Sequence, residues 1–264
     1  MDLQLTDKLA LVTGSTGGIG LAIAQSLAAE GARVIINGRT EARVREASAQ
    51  IQSAHPHAQL LPLALDLSTP ESVSETTRRF PEIDILVNNL GVYQPVAFEE
   101  ITDDQWRSII ETNFMSGVRL CRHYLPRMRF NDWGRILFIS SESAVNTPVE
   151  MIHYGVTKTM QVALARGLAE TTAGTGVTVN SVLVGPTRSE GVETFIKDMA
   201  RTKNLTPAQV EEEFFKSVRP SSLLRRFETP AEVASMVAYL SSPLASATNG
   251  SAIRAEGGVL RSIL

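Results

Sequence analysis

Along this chain, short apolar runs alternate with longer stretches whose apolar residues recur every three or four positions. Runs of the first kind fit buried strands, and repeats of the second kind fit one face of a helix. Residues 9–12, 33–37, 60–65, 83–87, 135–139 and 177–182 read as strands. The intervening helical patterns are Ile19, Ile23 and Leu27 on one face, a polar-faced stretch over 41–53, a short one over 70–79, and one from about 152 to 172. A long helix is predicted to start after Thr102 as N-cap, with Trp106, Ile109, Ile110, Phe114, Val118, Cys121 and Leu125 forming its stripe and Asn113 lying on it. Strands alternating with helices predict an α/β fold, a doubly wound parallel sheet with helices on both faces.

Composition narrows this picture. The chain has 264 residues, 43% hydrophobic and 20% charged, enough for one large α/β domain or two small ones. A net charge of −3 supplies no basic field for nucleic acid. The lone Cys121 excludes an intramolecular disulfide and fits a reducing compartment; its apolar neighbours favour packing over reactivity. The first residues lack the basic flank and apolar core of a signal peptide, and no apolar run is long enough to cross a membrane. A cytoplasmic protein with no membrane partner is expected. His55 and His57 have no nearby Cys or acid partner, so no metal site is expected.

Candidate chemistry concentrates where predicted strands end. Thr13-Gly-Ser-Thr-Gly-Gly-Ile-Gly20 follows the first strand and opens a helix. Glycines allow close approach of a phosphate, and the helix N-terminus offers free N–H groups. The second strand ends Asn37-Gly38-Arg39-Thr40, without the acid that would bind a ribose 2′-hydroxyl. Arg39 can pair with a 2′-phosphate instead, which favours NADP(H) and leaves NAD(H) possible. Asp66 could accept from an adenine amino group or cap a turn. Tyr154 and Lys158 share a helix face at i and i+4, where an ammonium beside a phenol favours the phenolate. Ser141 offers a hydroxyl to hold a carbonyl or alcohol oxygen. The segments 13–20, 38–39, 88–91 and 184–189, with Asp66 and Ser141, all follow strand ends. A parallel sheet gathers them on one edge, where ligands bind.

The ordered set Thr13-Gly-x-x-x-Gly18-x-Gly20, Asn88-Asn89-x-Gly91, Asn113, Ser141 and Tyr154-x-x-x-Lys158 resembles the short-chain dehydrogenase/reductase family over nearly the whole chain. The resemblance implies a Rossmann-like sheet of about seven strands in a single domain over 1–264. It also implies a nicotinamide cofactor, reversible alcohol–carbonyl oxidation on a small-molecule substrate, and a homodimer or homotetramer. Tyr154 would be the general acid/base, Ser141 would hold the substrate oxygen, and Asn113 would bind a water completing a proton relay through Lys158. On the cofactor side, Gly14, Ser15, Gly18, Ile19 and Gly20 would embrace the pyrophosphate. Asp66 and Leu67 would contact adenine, and Asn89 and Gly91 the adenosine side. Thr187 and Ser189 match positions that touch the nicotinamide amide and phosphates. Tyr154 and Lys158 would also serve there, Lys158 through the nicotinamide ribose hydroxyls.

The chain departs from the family pattern at Leu90, at Val184-Gly185-Pro186, at Glu256-Gly257-Gly258 and at Gly17, where many NADP-dependent relatives carry a basic residue. Residues 190–229 read as an insertion of two amphipathic helices forming a substrate lid, with Val192, Phe195, Ile196 and Met199 on one face and Val210, Phe214 and Val218 on the other. Its mixed charges, Arg219 included, read as a solvated face. Val92, Tyr93, Gln94, Glu142, Asn146, Met151 and His153 flank the catalytic residues, His153 as a solvent-facing neighbour of Tyr154. The function expected is an NADP(H)-dependent alcohol–carbonyl oxidoreductase. Its alternatives are a 3-oxoacyl-thioester reductase and a non-catalytic cofactor-binding regulator.

Overall fold

A computed structural model describes residues 1–263, with Phe195 described by its backbone alone. Leu264 of the expected domain and the Phe195 side chain of the expected lid face lie outside the described residues.

Seven strands form one sheet: β1 (Leu9–Val12), β2 (Arg33–Gly38), β3 (Gln59–Ala64), β4 (Ile85–Asn88), β5 (Gly134–Ile139), β6 (Val177–Val184) and β7 (Ala252–Ala255). They run in the order β3-β2-β1-β4-β5-β6-β7, every neighbour parallel. The helices are α1 (Gly18–Ala29), α2 (Glu41–Ala54), α3 (Pro70–Arg79), α4 (Asp103–Ile110), α5 (Ser116–Phe130), α6 (Ile152–Glu170), α7 (Glu190–Lys203), α8 (Pro207–Ser217) and α9 (Pro230–Ser241).

Successive strand residues point to opposite faces, and each face meets its own helices. Ala10, Val12, Val34, Ile36 and Val87 pack with Ile23 and Leu27 of α1, Val44 and Ile51 of α2 and Val233 and Val237 of α9. Leu11, Ile35, Leu86, Ile136 and Phe138 pack with Val73 of α3, Leu120, Tyr124 and Met128 of α5 and Ala165 of α6. Both faces are covered, which is why these strands read as continuous apolar runs. Cys121 is buried in the second of these cores, where desolvation pushes its thiol up to about 12. No helix of the described residues is long and apolar enough to cross a membrane.

The helix expected to run unbroken from Thr102 is divided. Thr102 caps α4 in a reciprocal box with Gln105, and a π-helical turn over Glu111–Met115 separates α4 from α5. Such a turn widens the backbone by one residue. It carries Asn113, which is buried and hydrogen-bonded through its side chain to the Val92 backbone: Asn113 Oδ1 accepts from the Val92 N–H at 2.8 Å, and Asn113 Nδ2 donates to the Val92 carbonyl at 2.9 Å. A polar group on an apolar stripe is satisfied by leaving regular helix geometry.

Strand order reverses direction about β1 and β4, and a ligand crevice forms beyond the carboxyl ends of strands at such a switch point. Helices α7 and α8 rise above that edge with their own small core of Ile196, Ala200, Val210, Phe215 and Phe227.

Candidate active site

Each strand on this edge ends in a turn that delivers polar groups. After β1, the backbone passes through positive φ at Gly14 and Gly18, a region costly for residues with a Cβ. A side chain on Gly20 would run into the Gly14 carbonyl and the Asn89 amide, so α1 starts close beneath its own turn. Asn37 at the end of β2 fixes this turn. Its Oδ1 accepts from the Gly14 N–H at 3.0 Å, its N–H donates to Ser15 Oγ at 2.9 Å, and its Nδ2 donates to Leu63 and Leu65 carbonyls at 3.2 and 3.0 Å. Asn89 after β4 holds the other side, donating from Nδ2 to the Thr13 and Gly14 carbonyls at 2.9 and 3.2 Å.

After β5, Ser141 is buried with its Oγ accepting from the Ser143 N–H at 3.1 Å. Helix α6 then brings Tyr154 and Lys158 against it. The Lys158 ammonium lies 5.5 Å from the Tyr154 ring centroid and donates to the Ile139 carbonyl at 2.7 Å. Burial pushes the Tyr154 phenol up to about 12; the hydrogen bond with Ser141 and the charge of Arg219 act against it, and Glu142 acts with it. Burial also pushes Lys158 down to about 8. Desolvation is the largest influence on both groups and favours the neutral form of each. Tyr154 stands as a protonated donor at neutral pH, beside a lysine that loses its charge just above it.

Among proteins of known sequence and structure, the chain matches a family model described as short chain dehydrogenase over residues 8–200. The chain belongs to the short chain dehydrogenase family. It is 50% identical over 263 residues to the uncharacterized oxidoreductase YvaG of Bacillus subtilis, covering 100% of both chains. It is 33% identical to a D-beta-hydroxybutyrate dehydrogenase of Cupriavidus necator, covering 97% of this chain and 98% of the relative. The solved L-sorbose reductase of Gluconobacter frateurii, complexed with NADPH and L-sorbose, superposes with a TM-score of 0.92 at 30% identity over 100% of both chains.

For this short chain dehydrogenase, space and chemistry on the sheet edge fit a dinucleotide. A Cβ added at Gly91 would sit 3.6 Å from both Lys158 Nζ and Asn113 Oδ1, so the absent side chain opens the approach to the lysine. At Gly38, a side chain would run into the Thr16 methyl unless the Thr16 side chain shifted, so an acid at the end of β2 would crowd the glycine turn. Gly38→Asp is expected to lower the melting temperature, overpacking costing about 1–3 kcal/mol, without creating tight NADH binding. A stable variant that binds NADH tightly would contradict this. Arg39 is exposed and makes no hydrogen bond or ion pair among the described residues, so its guanidinium is available to an anion.

The other expected cofactor contacts are engaged within the protein. Ser15 Oγ faces Asn37, and Ile19 is half-buried beside the first core. Asp66 accepts from the Ser68 N–H and hydroxyl at 3.0 and 2.8 Å, forming the turn that was the other reading of this residue. The Leu67 side chain is buried in the core, leaving its main chain for a ligand. Thr187 donates to the Gly185 carbonyl at 3.0 Å, and Ser189 caps α7.

Two flanking residues differ from their expected setting. His153 is buried, not solvent-facing: its ring stacks edge-on against Trp106 with centroids 5.9 Å apart, its Nδ1 has no partner among the described residues, and burial holds its pKa below the ordinary value. Arg219 is not on a solvated face. Its side chain is 12% exposed and donates from Nε to Glu142 Oε1 at 2.7 Å, with Glu150 3.6 Å from its Nη1. Glu142 in turn accepts from the Ser143 hydroxyl at 2.6 Å. This pair joins the segment after α8 to the residue next to Ser141. Arg43 joins the start of α7 to the glycine turn, donating to Glu190 Oε2 and to the Thr16 carbonyl, each at 3.3 Å. No local sequence signal separated Arg43 from Arg45, the other arginine of α2.

Proposed function

We propose that this chain is an NADP(H)-dependent oxidoreductase that interconverts a small alcohol and its ketone or aldehyde. The observation that carries this reading is the meeting of Ser141, Tyr154 and Lys158 at the end of β5, separated by β4 alone from the β1 glycine turn braced by Asn37 and Asn89. When bound, the nicotinamide supplies or accepts the hydride. The chain's own residues supply the rest. Ser141 donates to the substrate oxygen and holds it beside the phenol. Tyr154 delivers its proton to that oxygen in reduction and removes it in oxidation. The phenol is protonated at neutral pH as any tyrosine is, and burial makes it a weaker acid. Lys158 presents an N–H towards the opening at Gly91, where a ribose hydroxyl can accept it.

Arg39 carries the 2′-phosphate preference, supported by the lack of an acid at the end of β2 and by the NADPH held in the L-sorbose reductase. Arg39→Ala is expected to weaken NADPH by roughly ten- to a hundredfold and to leave NADH nearly unchanged, as read by fluorescence titration. Equal losses for both would remove the phosphate contact. The α7–α8 segment is proposed to act as a lid tethered at Glu190 and Arg219. Assembly as a homodimer or homotetramer and a cytoplasmic location belong to the same proposal, resting on the family resemblance. Screening small ketones, aldehydes and hydroxy acids with NADPH consumption or NADP+ reduction as readout tests the activity. NADPH binding with no turnover across that panel would favour a regulatory role.

A further inference from the structure

Hydrogen-bonded to Lys158 is a glutamine that the catalytic reading leaves unused. Gln161, on the next turn of α6, is 1% exposed. Its Oε1 accepts from Lys158 Nζ at 3.4 Å, and its Nε2 donates to the Asn113 carbonyl at 2.5 Å. The orientation of the amide is dictated by its neighbours, because an ammonium can only donate and a carbonyl can only accept. Asn113 is fixed independently by the Val92 backbone and by Thr157 Oγ1, to which its Nδ2 donates at 3.1 Å. The Asn113 carbonyl, freed for a side-chain partner in the widened turn, is thus joined to the lysine by a single buried amide.

We infer that Gln161 is a positioning residue that fastens Lys158 to the π-turn at Asn113, fixes the direction of its remaining N–H and keeps its ammonium charged. Three donors are available on the ammonium. Ile139 and Gln161 take two, and the third is left for the crevice. The link passes orientation and not a proton, because an amide has no group that titrates in the working pH range. The charged and titratable groups around Lys158 are few. Tyr154 lies on the same helix, and Glu142 is in the turn after Ser141, paired with Arg219 from the lid. On the π-turn Glu111 is paired with Arg119, and on α6 His153 packs against Trp106. None of these gives Lys158 a carboxylate partner of its own, so the Gln161 and Ile139 oxygens are the groups that counter its desolvation.

This inference rests on the proposed role of Lys158, and two variants separate it from that role. Gln161→Met keeps length and removes both hydrogen bonds. It is expected to lower kcat by roughly ten- to a hundredfold with little change in substrate KM. It should also move the basic limb of kcat/KM, and of NADPH binding measured by fluorescence, down by about one pH unit. Gln161→Glu sets a carboxylate against the ammonium and is expected to move the same limb up. Opposite displacement of one limb is a signature that a merely structural role does not produce. Displacement in the same direction by both variants, or none in either, overturns the inference. If Lys158→Met abolishes activity while both Gln161 variants behave as wild type, only this inference fails. If Lys158→Met is itself active, the reading of the site fails.

Discussion

Tyr154→Phe is expected to lower turnover on the order of 1,000-fold while NADPH affinity stays at the wild-type level. The ring remains in place, including its edge contact with Tyr93 at 6.2 Å between centroids, so the substitution removes the proton and little else. In the proposed reaction the hydroxyl exchanges its proton with the oxygen that Ser141 holds. Its acidity is weakened by burial and only partly restored by the Ser141 hydrogen bond. Steady-state kinetics paired with fluorescence titration of NADPH checks both halves. Turnover within about tenfold of wild type would remove Tyr154 from the proton step.

Lys158→Met is expected to lower both NADPH affinity and turnover, turnover by about a hundredfold or more, without lowering the melting temperature. The sign of the stability effect follows from the titration. Burial holds the folded-state pKa near 8, below the ordinary lysine value of about 10.4. Between those values the unfolded chain binds more protons than the folded one, and stability rises with pH. At neutral pH the wild-type protein therefore carries a buried ammonium at a cost that a methionine of similar length does not impose. The activity of the wild type should also lose its basic limb in the variant: kcat/KM for NADPH should fall above about pH 8 in the wild type as the amine becomes neutral, and show no such limb with methionine. Thermal melts across pH 7 to about 10 and the kcat/KM profile check this. A strongly destabilised variant would mean that Lys158 is chiefly a structural tie to Ile139.

These two expectations depend on residues that the sequence made legible for a physical reason. Tyr154 and Lys158 stand one helical turn apart, and the glycine turn stands between a four-residue apolar run and a helix pattern. Periodicity alone therefore places them, and the parallel sheet brings their strand ends together. The doubly wound architecture was legible on the same ground, because strands buried on both faces leave continuous apolar runs. What the pattern could not carry was any contact between segments far apart in sequence. The π-turn at Glu111–Met115 is hidden inside an otherwise regular stripe, and only the position of Asn113 on that stripe hinted that it had to be satisfied. Arg219 and Glu142 are 77 positions apart, and nothing in the charge pattern of 190–229 distinguishes the arginine that turns inward. His153 sits where helical phase is ambiguous next to a half-buried tyrosine, and its burial follows from Trp106 on another helix. Asn37 reads as the polar end of a strand, while its work is to join three strand ends at once.

The burial of Glu142 and Arg219 beside Ser141 also shapes what the crevice can accept. Two carboxylates, Glu142 and Glu150, face one guanidinium, so the cluster leaves no uncompensated positive charge for an anionic substrate. Val92 and Tyr93 are exposed, and the Tyr93 ring meets the Tyr154 ring edge-on, which adds apolar and hydrogen-bonding groups beside the phenol. This favours small neutral hydroxylated carbonyl compounds in the first screening panel.

In the proposed reaction a hydride passes between a nicotinamide and a carbon whose oxygen Ser141 and Tyr154 hold. The most direct measurement uses NADPH deuterated at the transferring ring carbon, a panel of small ketones and aldehydes, and mass spectrometry of the products. Deuterium is expected on the carbinol carbon of at least one product with the wild-type protein, and none above background with Tyr154→Phe over the same interval. Tight NADPH binding with no transfer of label to any member of the panel, or equal transfer by the Tyr154→Phe protein, would contradict it.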